Sequence, residues 1–275
     1  MMDTVENLPP VSAMMRDCGM MAKKQFGQNF LFDLNLTGRI ARAVPDIDKL
    51  PVVEVGPGPG GLTRALLLAG ACKVIAVEMD KMTEPILSRI TAASNGRLNV
   101  IFGDALKTDF SKFGFDEYAI CSNLPYNVGT ELLIQWIHKI AHGEKIKSLT
   151  LMFQREVAER ITAKPGDDAY GRLAVLVQLV ADAKILFNVP RTAFTPAPKV
   201  TSAIVQIIPN AEKIKRIGKI ESVEKITAKL FGTRRKMIRG IMPDVDWTAF
   251  NLIGTERAEN LTPEKFLEIA KKLLP

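Results

Sequence analysis

The chain has 275 residues, 47% of them hydrophobic, with 37 Lys or Arg against 30 Asp or Glu for a net charge of +7. That is enough to bury a sizeable core and more than one small domain needs, while no uncharged apolar run reaches the roughly 18 residues of a membrane span. Cys18, Cys72 and Cys121 form no C-x-x-C pair, which argues against a disulfide framework and suits a reducing cytoplasm.

Residues 1–22 carry acids and prolines without an apolar signal core and predict a poorly ordered tail. From about residue 33 to 160, β-rich runs alternate with helical patterns. Asp33 can cap a helix reaching Val44. V-V-E-V (52–55) reads as a buried strand, Leu62 to Ala69 as a helix stopped by Gly70, and K-V-I-A-V-E (73–78) as a second strand. A helix from Lys81 to Ala93 follows, then strands at 98–102 and 117–122, a helix over T-E-L-L-I-Q-W-I, a strand at 148–153 and a helix over R-E-V-A-E-R-I-T-A. Such alternation of near-continuous apolar strands with helices predicts an α/β fold with a parallel sheet covered on both faces. The apolar stretch 173–208 does not divide cleanly into helix and strand. After Pro209 strand signals stop and short helices follow, one of them behind Thr262 and Pro263, so the boundary is placed near 209.

Chemistry enters at E-V-G-P-G-P-G-G-L-T. Gly56, Gly58 and Gly61 fit G-x-G-x-x-G between a strand and a helix, and Glu78 ends the next strand where a carboxylate can bind ribose hydroxyls. The pattern points to an adenosine-containing ligand: a nicotinamide or flavin dinucleotide, or S-adenosylmethionine. Pro57 and Pro59 remove two N–H donors and weaken the loop as a pyrophosphate cradle, which favours the last. Asp104, after the third strand, could accept from an adenine amine, although for this residue taken alone a turn or helix cap is the favoured reading.

N-L-P-Y (123–126) ends the fourth strand on the same rim. An Asn-Pro turn needs no aromatic ring. A planar base bearing an amino group does: it can stack on Tyr126 while its amino hydrogens go to Asn123 Oδ1 and the Leu124 carbonyl. Two acceptors localise the lone pair of an otherwise poor nucleophile, and positioning then supplies most of the catalysis. Further on, ten Lys or Arg between Lys213 and Arg239 face only Glu221 and Glu224, a block of +8 that fits either a polyanion partner or a solvated helical face.

Six motifs together resemble the ribosomal RNA adenine N6-dimethyltransferases of the small-subunit branch: K-K-Q-F-G-Q-N-F-L (23–31), E-V-G-P-G-P-G-G-L-T (54–63), V-I-A-V-E-M-D (74–80), G-D-A-L (103–106), N-L-P-Y (123–126) and F-T-P-A-P-K-V-T-S-A (194–203). The resemblance implies a class I, Rossmann-like S-adenosylmethionine-dependent methyltransferase domain over 23–209 and a small basic helical RNA-binding domain over 210–275. It implies cofactor contacts from Asn29, Leu31, Gly56, Glu78, Asp104 and Asn123, and a target-base site of Asn123, Leu124 and Tyr126 with Phe194 as a second stacking ring. It also implies dimethylation of two adjacent adenosines near the 3′ end of small-subunit (16S) rRNA on an assembling subunit, by a cytoplasmic monomer with no membrane or metal. F-G-T-R-R-K-M-I-R-G (231–240) looks like the small-subunit branch, so Arg234, Arg235 and Lys236 are read as phosphate contacts. Phe32 stands where the family commonly has a smaller or polar residue.

His138 and His142 have a metal-ligand spacing, but nothing nearby in sequence completes a site. Y-G-R-L (170–173) reads as a surface loop, mobile and RNA-facing or plain. A nicotinamide-dependent oxidoreductase would need a catalytic His or Tyr-Lys pair on the rim, which is not evident. An RNA-binding assembly factor with a decayed methyl site fits poorly with intact N-L-P-Y and glycine motifs.

Overall fold

Runs such as V-V-E-V and V-I-A-V-E have no solvent-facing alternation, and each forms a strand buried along its whole length. The computed structural model describes residues 4–20, 29–233 and 235–275. Among these, one sheet contains β2 (Val52–Val55), β3 (Val74–Glu78), β4 (Leu98–Phe102), β5 (Tyr118–Asn123), β6 (Ile146–Gln154), β7 (Ala181–Val189) and β9 (Ser202–Pro209), in the order β4-β3-β2-β5-β6-β9-β7. The pairings from β4 across to β6 are parallel. β1 (Phe30–Leu31) pairs antiparallel with β8 (Phe194–Thr195) in a separate two-stranded piece.

The chain steps outward from β2 to β3 to β4, then returns to the other side of β2 as β5. Strand order therefore reverses between β2 and β5, and the carboxyl ends of these two strands border the crevice where open α/β sheets bind ligands. Helices α2 (Leu34–Ala41), α3 (Gly61–Leu68), α4 (Glu84–Ala93) and α5 (Gly129–Ala141) occupy the connections. Asp33 caps α2 as expected, its Oδ1 accepting from Asn35 N at 2.8 Å and Leu36 N at 3.4 Å. The helix ends at Ala41 rather than Val44, because a residue preceding proline, here Val44 before Pro45, disfavours the helical region.

The chain folds into two compact units. One comprises Met1–Leu132, Lys145–Arg155 and Leu186–Gln206; the other comprises Leu133–Glu144, Glu156–Ile185 and Ile207–Pro275. This differs from a single cut near residue 209. Residues 156–185 join the C-terminal helices because α7 (Arg172–Val180) packs on α9 (Ile220–Phe231) and α11 (Pro263–Leu273). Phe231 stacks on Phe266 with centroids 5.4 Å apart and meets Tyr170 edge-on at 6.0 Å. The Tyr170 hydroxyl donates to Leu261 O at 2.9 Å, so the first residue of Y-G-R-L is a core anchor and not part of a mobile surface loop.

The expectation of a poorly ordered tail also fails, over residues 4–20. Val11, Met14 and Met15 form a buried i, i+3, i+4 stripe on α1 (Val11–Asp17), and Val5, Leu8 and Met20 join the same core. Arg64 on α3 holds this segment: Nη1 donates to Pro9 O at 2.7 Å, and Nη2 to Leu8 O at 2.8 Å and Glu6 O at 3.1 Å. Acids and prolines suggested disorder, yet a buried guanidinium satisfies three of the segment's carbonyls.

Candidate active site

The parallel registers set one level across the rim. Val55 lies opposite Val77, and Glu78 opposite Phe102, so Gly56, Glu78 and the start of G-D-A emerge side by side. On the other flank the β2–β5 pairing runs through Val52↔Ala119 and Val53↔Ile120, while the strands continue to Val55 and Asn123. There the Val55 N–H goes to the Ser122 hydroxyl at 2.8 Å. A side chain thus takes the place of a ladder bond at the point where the strands part.

The glycine loop is shaped by close approach. Gly56 has φ +67°, and a Cβ there would lie 3.6 Å from Pro125 Cδ, which puts the loop directly against N-L-P-Y. At Gly61 a Cβ would sit 2.4 Å from the Leu31 carbonyl oxygen, so only glycine lets β1 reach α3. Gly58 N donates to Glu78 Oε2 at 2.8 Å, and Asp80 N donates to Oε1 at 2.7 Å. Burial pushes the Glu78 carboxyl up, and these backbone donors pull it back down. Each oxygen keeps a lone pair for a further donor, so Glu78 can still accept from vicinal ribose hydroxyls.

Asp104 takes the turn role that its sequence allowed: Oδ1 accepts Leu106 N at 3.0 Å. Its Oδ2 is 3.8 Å from Lys107 Nζ and keeps acceptor capacity toward the rim. Asn123 Nδ2 donates to Asn29 O at 3.3 Å. The reverse orientation would set two oxygens against each other, so this bond fixes the amide with Oδ1 as the end available to a ligand. The same contact ties Asn29 to the end of β5. Leu31 is buried with its carbonyl against the loop, whereas residues 23–28 of the first motif lie outside the described residues.

Leu124 is buried and Pro125 packs on the loop, while Tyr126 is partly buried with its hydroxyl 2.7 Å from Ser202 Oγ. Burial holds the phenol above its ordinary value. Phe194 is only 4% exposed and belongs to the core cluster with Phe30 and Leu31. Its strand partner is Leu31, so β8 braces the segment carrying Asn29, and the ring presents no open face in this conformation. Beneath the loop, Glu54 is fully buried with Thr63 Oγ1 donating to Oε2 at 2.6 Å; burial pushes its carboxyl up to about 8. Ser122 carried no sequence signal, and Glu54 and Ser202, although they stand inside the motifs at 54–63 and 194–203, were assigned no role, since a lone polar residue in an apolar strand reads only as tolerated.

In the second unit, Glu221 and Glu224 are drawn away from the basic block. Glu221 faces His138 Nδ1 at 3.4 Å and His142 Nε2 at 3.3 Å; Glu224 faces His138 Nε2 at 3.2 Å and Arg172 at 3.8 Å. Lys225, Lys229, Arg235, Lys236 and Arg239 are exposed, with no carboxylate paired to them among the described residues, and Arg234 lies outside those residues. The segment thus presents cations, while the two acids within it, Glu221 and Glu224, are engaged with other partners. No group of three His, Cys, Asp or Glu among the described residues could hold a metal ion.

The chain matches the family model of ribosomal RNA adenine dimethylase over residues 19–274. It is 46% identical over 277 residues to the ribosomal RNA small subunit methyltransferase A of Chelativorans sp., covering 98% of this chain and 100% of that protein. It is 48% identical over 276 residues to the same-named protein of Azorhizobium caulinodans, covering 98% and 94%. Among solved structures it resembles a dimethyladenosine transferase from Plasmodium falciparum, with a TM-score of 0.73 and 27% identity over 89% of this chain and 97% of that one. It also shares the fold of the 23S rRNA methyltransferase ErmE, with a TM-score of 0.67 and 24% identity over 89% and 99%.

Proposed function

This chain belongs to the ribosomal RNA adenine dimethylase family, and we propose that it dimethylates N6 of two adjacent adenosines near the 3′ end of small-subunit (16S) rRNA during ribosome assembly. The first unit has the class I S-adenosylmethionine-dependent methyltransferase fold. S-adenosylmethionine, when bound, supplies an electrophilic methyl group on a sulfonium. Gly56, Glu78, Asp104, Asn123, Asn29 and Leu31 hold it: Glu78 accepts from the ribose hydroxyls, Asp104 accepts from the adenine amine, and the glycine loop lets backbone approach closely.

The observation that carries the reading is the fixed Asn123 amide. With Nδ2 on Asn29 O, Oδ1 is left to accept one amino hydrogen of the target adenine, at the rim level of the glycine loop. The Leu124 carbonyl accepts the other. Together they draw density onto the nitrogen and hold its lone pair toward the methyl donor. Tyr126 stacks on one face of the base. Phe194 takes the other face once its ring turns out of the core. The proton lost on transfer leaves through the Asn123 and Leu124 acceptors to solvent, with no strong base required beforehand.

Arg234, Arg235 and Lys236 contact RNA phosphates and set orientation rather than sequence. On this reading the protein works in the cytoplasm, as a monomer, on the small ribosomal subunit. The test is Asn123→Ala, assayed for methyl transfer and, separately, for S-adenosylmethionine affinity by calorimetry. Transfer should fall by about a hundredfold or more while the cofactor still binds; turnover at the parent rate would overturn the mechanism.

A further inference from the structure

N-L-P-Y is held at three points. The Leu124 side chain is buried and Pro125 packs on Gly56. Beyond the proline, the N–H groups of Val128 and Gly129 return to Pro125 O at 3.2 and 3.0 Å, which launches α5. Backbone and apolar contacts thus fix the first three residues of the motif. They leave the far end of the tyrosine, about 6.5 Å from its Cα in any rotamer, to be held by something else.

That something is Ser202. Its Oγ lies 2.7 Å from the Tyr126 hydroxyl, 76 residues away in sequence. Ser202 opens β9 and is fully buried, and its own position is set by the sheet: Arg155 N, just past β6, donates to Thr201 O at 2.9 Å. The serine is thus mounted on an interior strand of the sheet, between β6 and β7, rather than on a loop. A tyrosine fixed at Cβ by its backbone and at its oxygen by this bond has its long axis defined. Only rotation about that axis remains.

Resting on the reading that Tyr126 stacks the target base, we propose that Ser202 is a positioning residue for methyl transfer, holding the Tyr126 ring at the rim beside the Asn123 and Leu124 acceptors. A ring tethered only at its backbone end samples several rotamers, and the base stacked on it samples them too. Because the reaction depends on holding the amino nitrogen in line, the loss falls on kcat and not on cofactor binding. A serine that merely filled space would instead affect stability alone.

The test uses the full chain and unmodified small ribosomal subunits, with thermal unfolding recorded for every variant. Ser202→Ala and Tyr126→Phe each remove one half of the bond while keeping the ring. Each should lower kcat about tenfold, with KM for S-adenosylmethionine unchanged. The double variant should be no slower than either single one, because both remove the same contact. Ser202→Thr, which keeps the hydroxyl, should recover most of the rate. Additive losses, or Tyr126→Phe turning over at the parent rate, would overturn the proposal. Tyr126→Ala separates the two levels of the argument. If it is inactive while Tyr126→Phe is fully active, base stacking stands and the tether falls; if it is fully active, the stacking role and the tether fall together.

Discussion

Glu54 offers a sharp test of the electrostatics beneath the glycine loop. It sits in β2 at 1% exposure, and its Oε2 accepts from the Thr63 hydroxyl at 2.6 Å. Burial raises its carboxyl from an ordinary 4.5 to about 8; the Thr63 bond opposes this, and the nearby charge of Glu78 adds to it. A carboxyl raised in the folded state favours folding while protonated. Its contribution is fully present below pH 4.5 and is lost as pH climbs through about 8. At about 1.4 kcal/mol per pH unit, the loss across that window is of order 5 kcal/mol. Glu54→Gln keeps the shape and an acceptor for Thr63 but has no proton to release. Urea unfolding followed by circular dichroism at pH 5, 6, 7, 8 and 9 would give the difference between variant and parent. That difference should move in favour of Gln as pH rises, by several kcal/mol over the range. Glu78 rises in both proteins and largely cancels. A difference that stays constant with pH would refute the buried, protonated carboxyl.

Three further outcomes follow from named contacts. Arg64→Met should leave the carbonyls of Glu6, Leu8 and Pro9 without their donor, cost about 2–4 kcal/mol, and raise hydrogen exchange across residues 4–20 before the rest of the first unit. Phe194→Leu keeps an apolar side chain of similar size in the core but removes a flat face; melting should fall by only a few degrees while kcat drops at least tenfold, and an unchanged kcat would remove Phe194 from the base site. Arg235→Glu should weaken binding to small subunits and flatten its salt dependence by about one ion or more, whereas an unchanged slope would exclude this segment as the RNA face.

Local signals in the sequence carried most of the sheet. V-V-E-V and V-I-A-V-E are strands because nothing in them faces solvent, and Asp33 caps α2 because its carboxylate is the nearest acceptor for two orphan N–H groups. The stretch 173–208 resisted because L-A-V-L-V-Q-L-V is apolar all round, and α7 passes directly into β7 at Ala181 without glycine or proline. The ordered N-terminal segment was legible in part: Val11, Met14 and Met15 have helical spacing, but the Arg64 clasp depends on partners more than 50 residues apart. The site divides in the same way. Glu78 and Asn123 are strand ends behind recognisable motifs. The bond that orients Asn123, the Ser122 bridge and the Ser202 contact exist only once distant segments meet. The burial of Phe194 has the same origin, because it depends on pairing with β1.

The most direct test of the central claim is methyl transfer from labelled S-adenosylmethionine to small ribosomal subunits from a strain lacking the modification, with large subunits and duplex DNA alongside. The account predicts label confined to dimethyladenosine in small-subunit RNA. Label on large subunits would contradict the proposed substrate, and tight small-subunit binding with no label anywhere would contradict the proposed reaction.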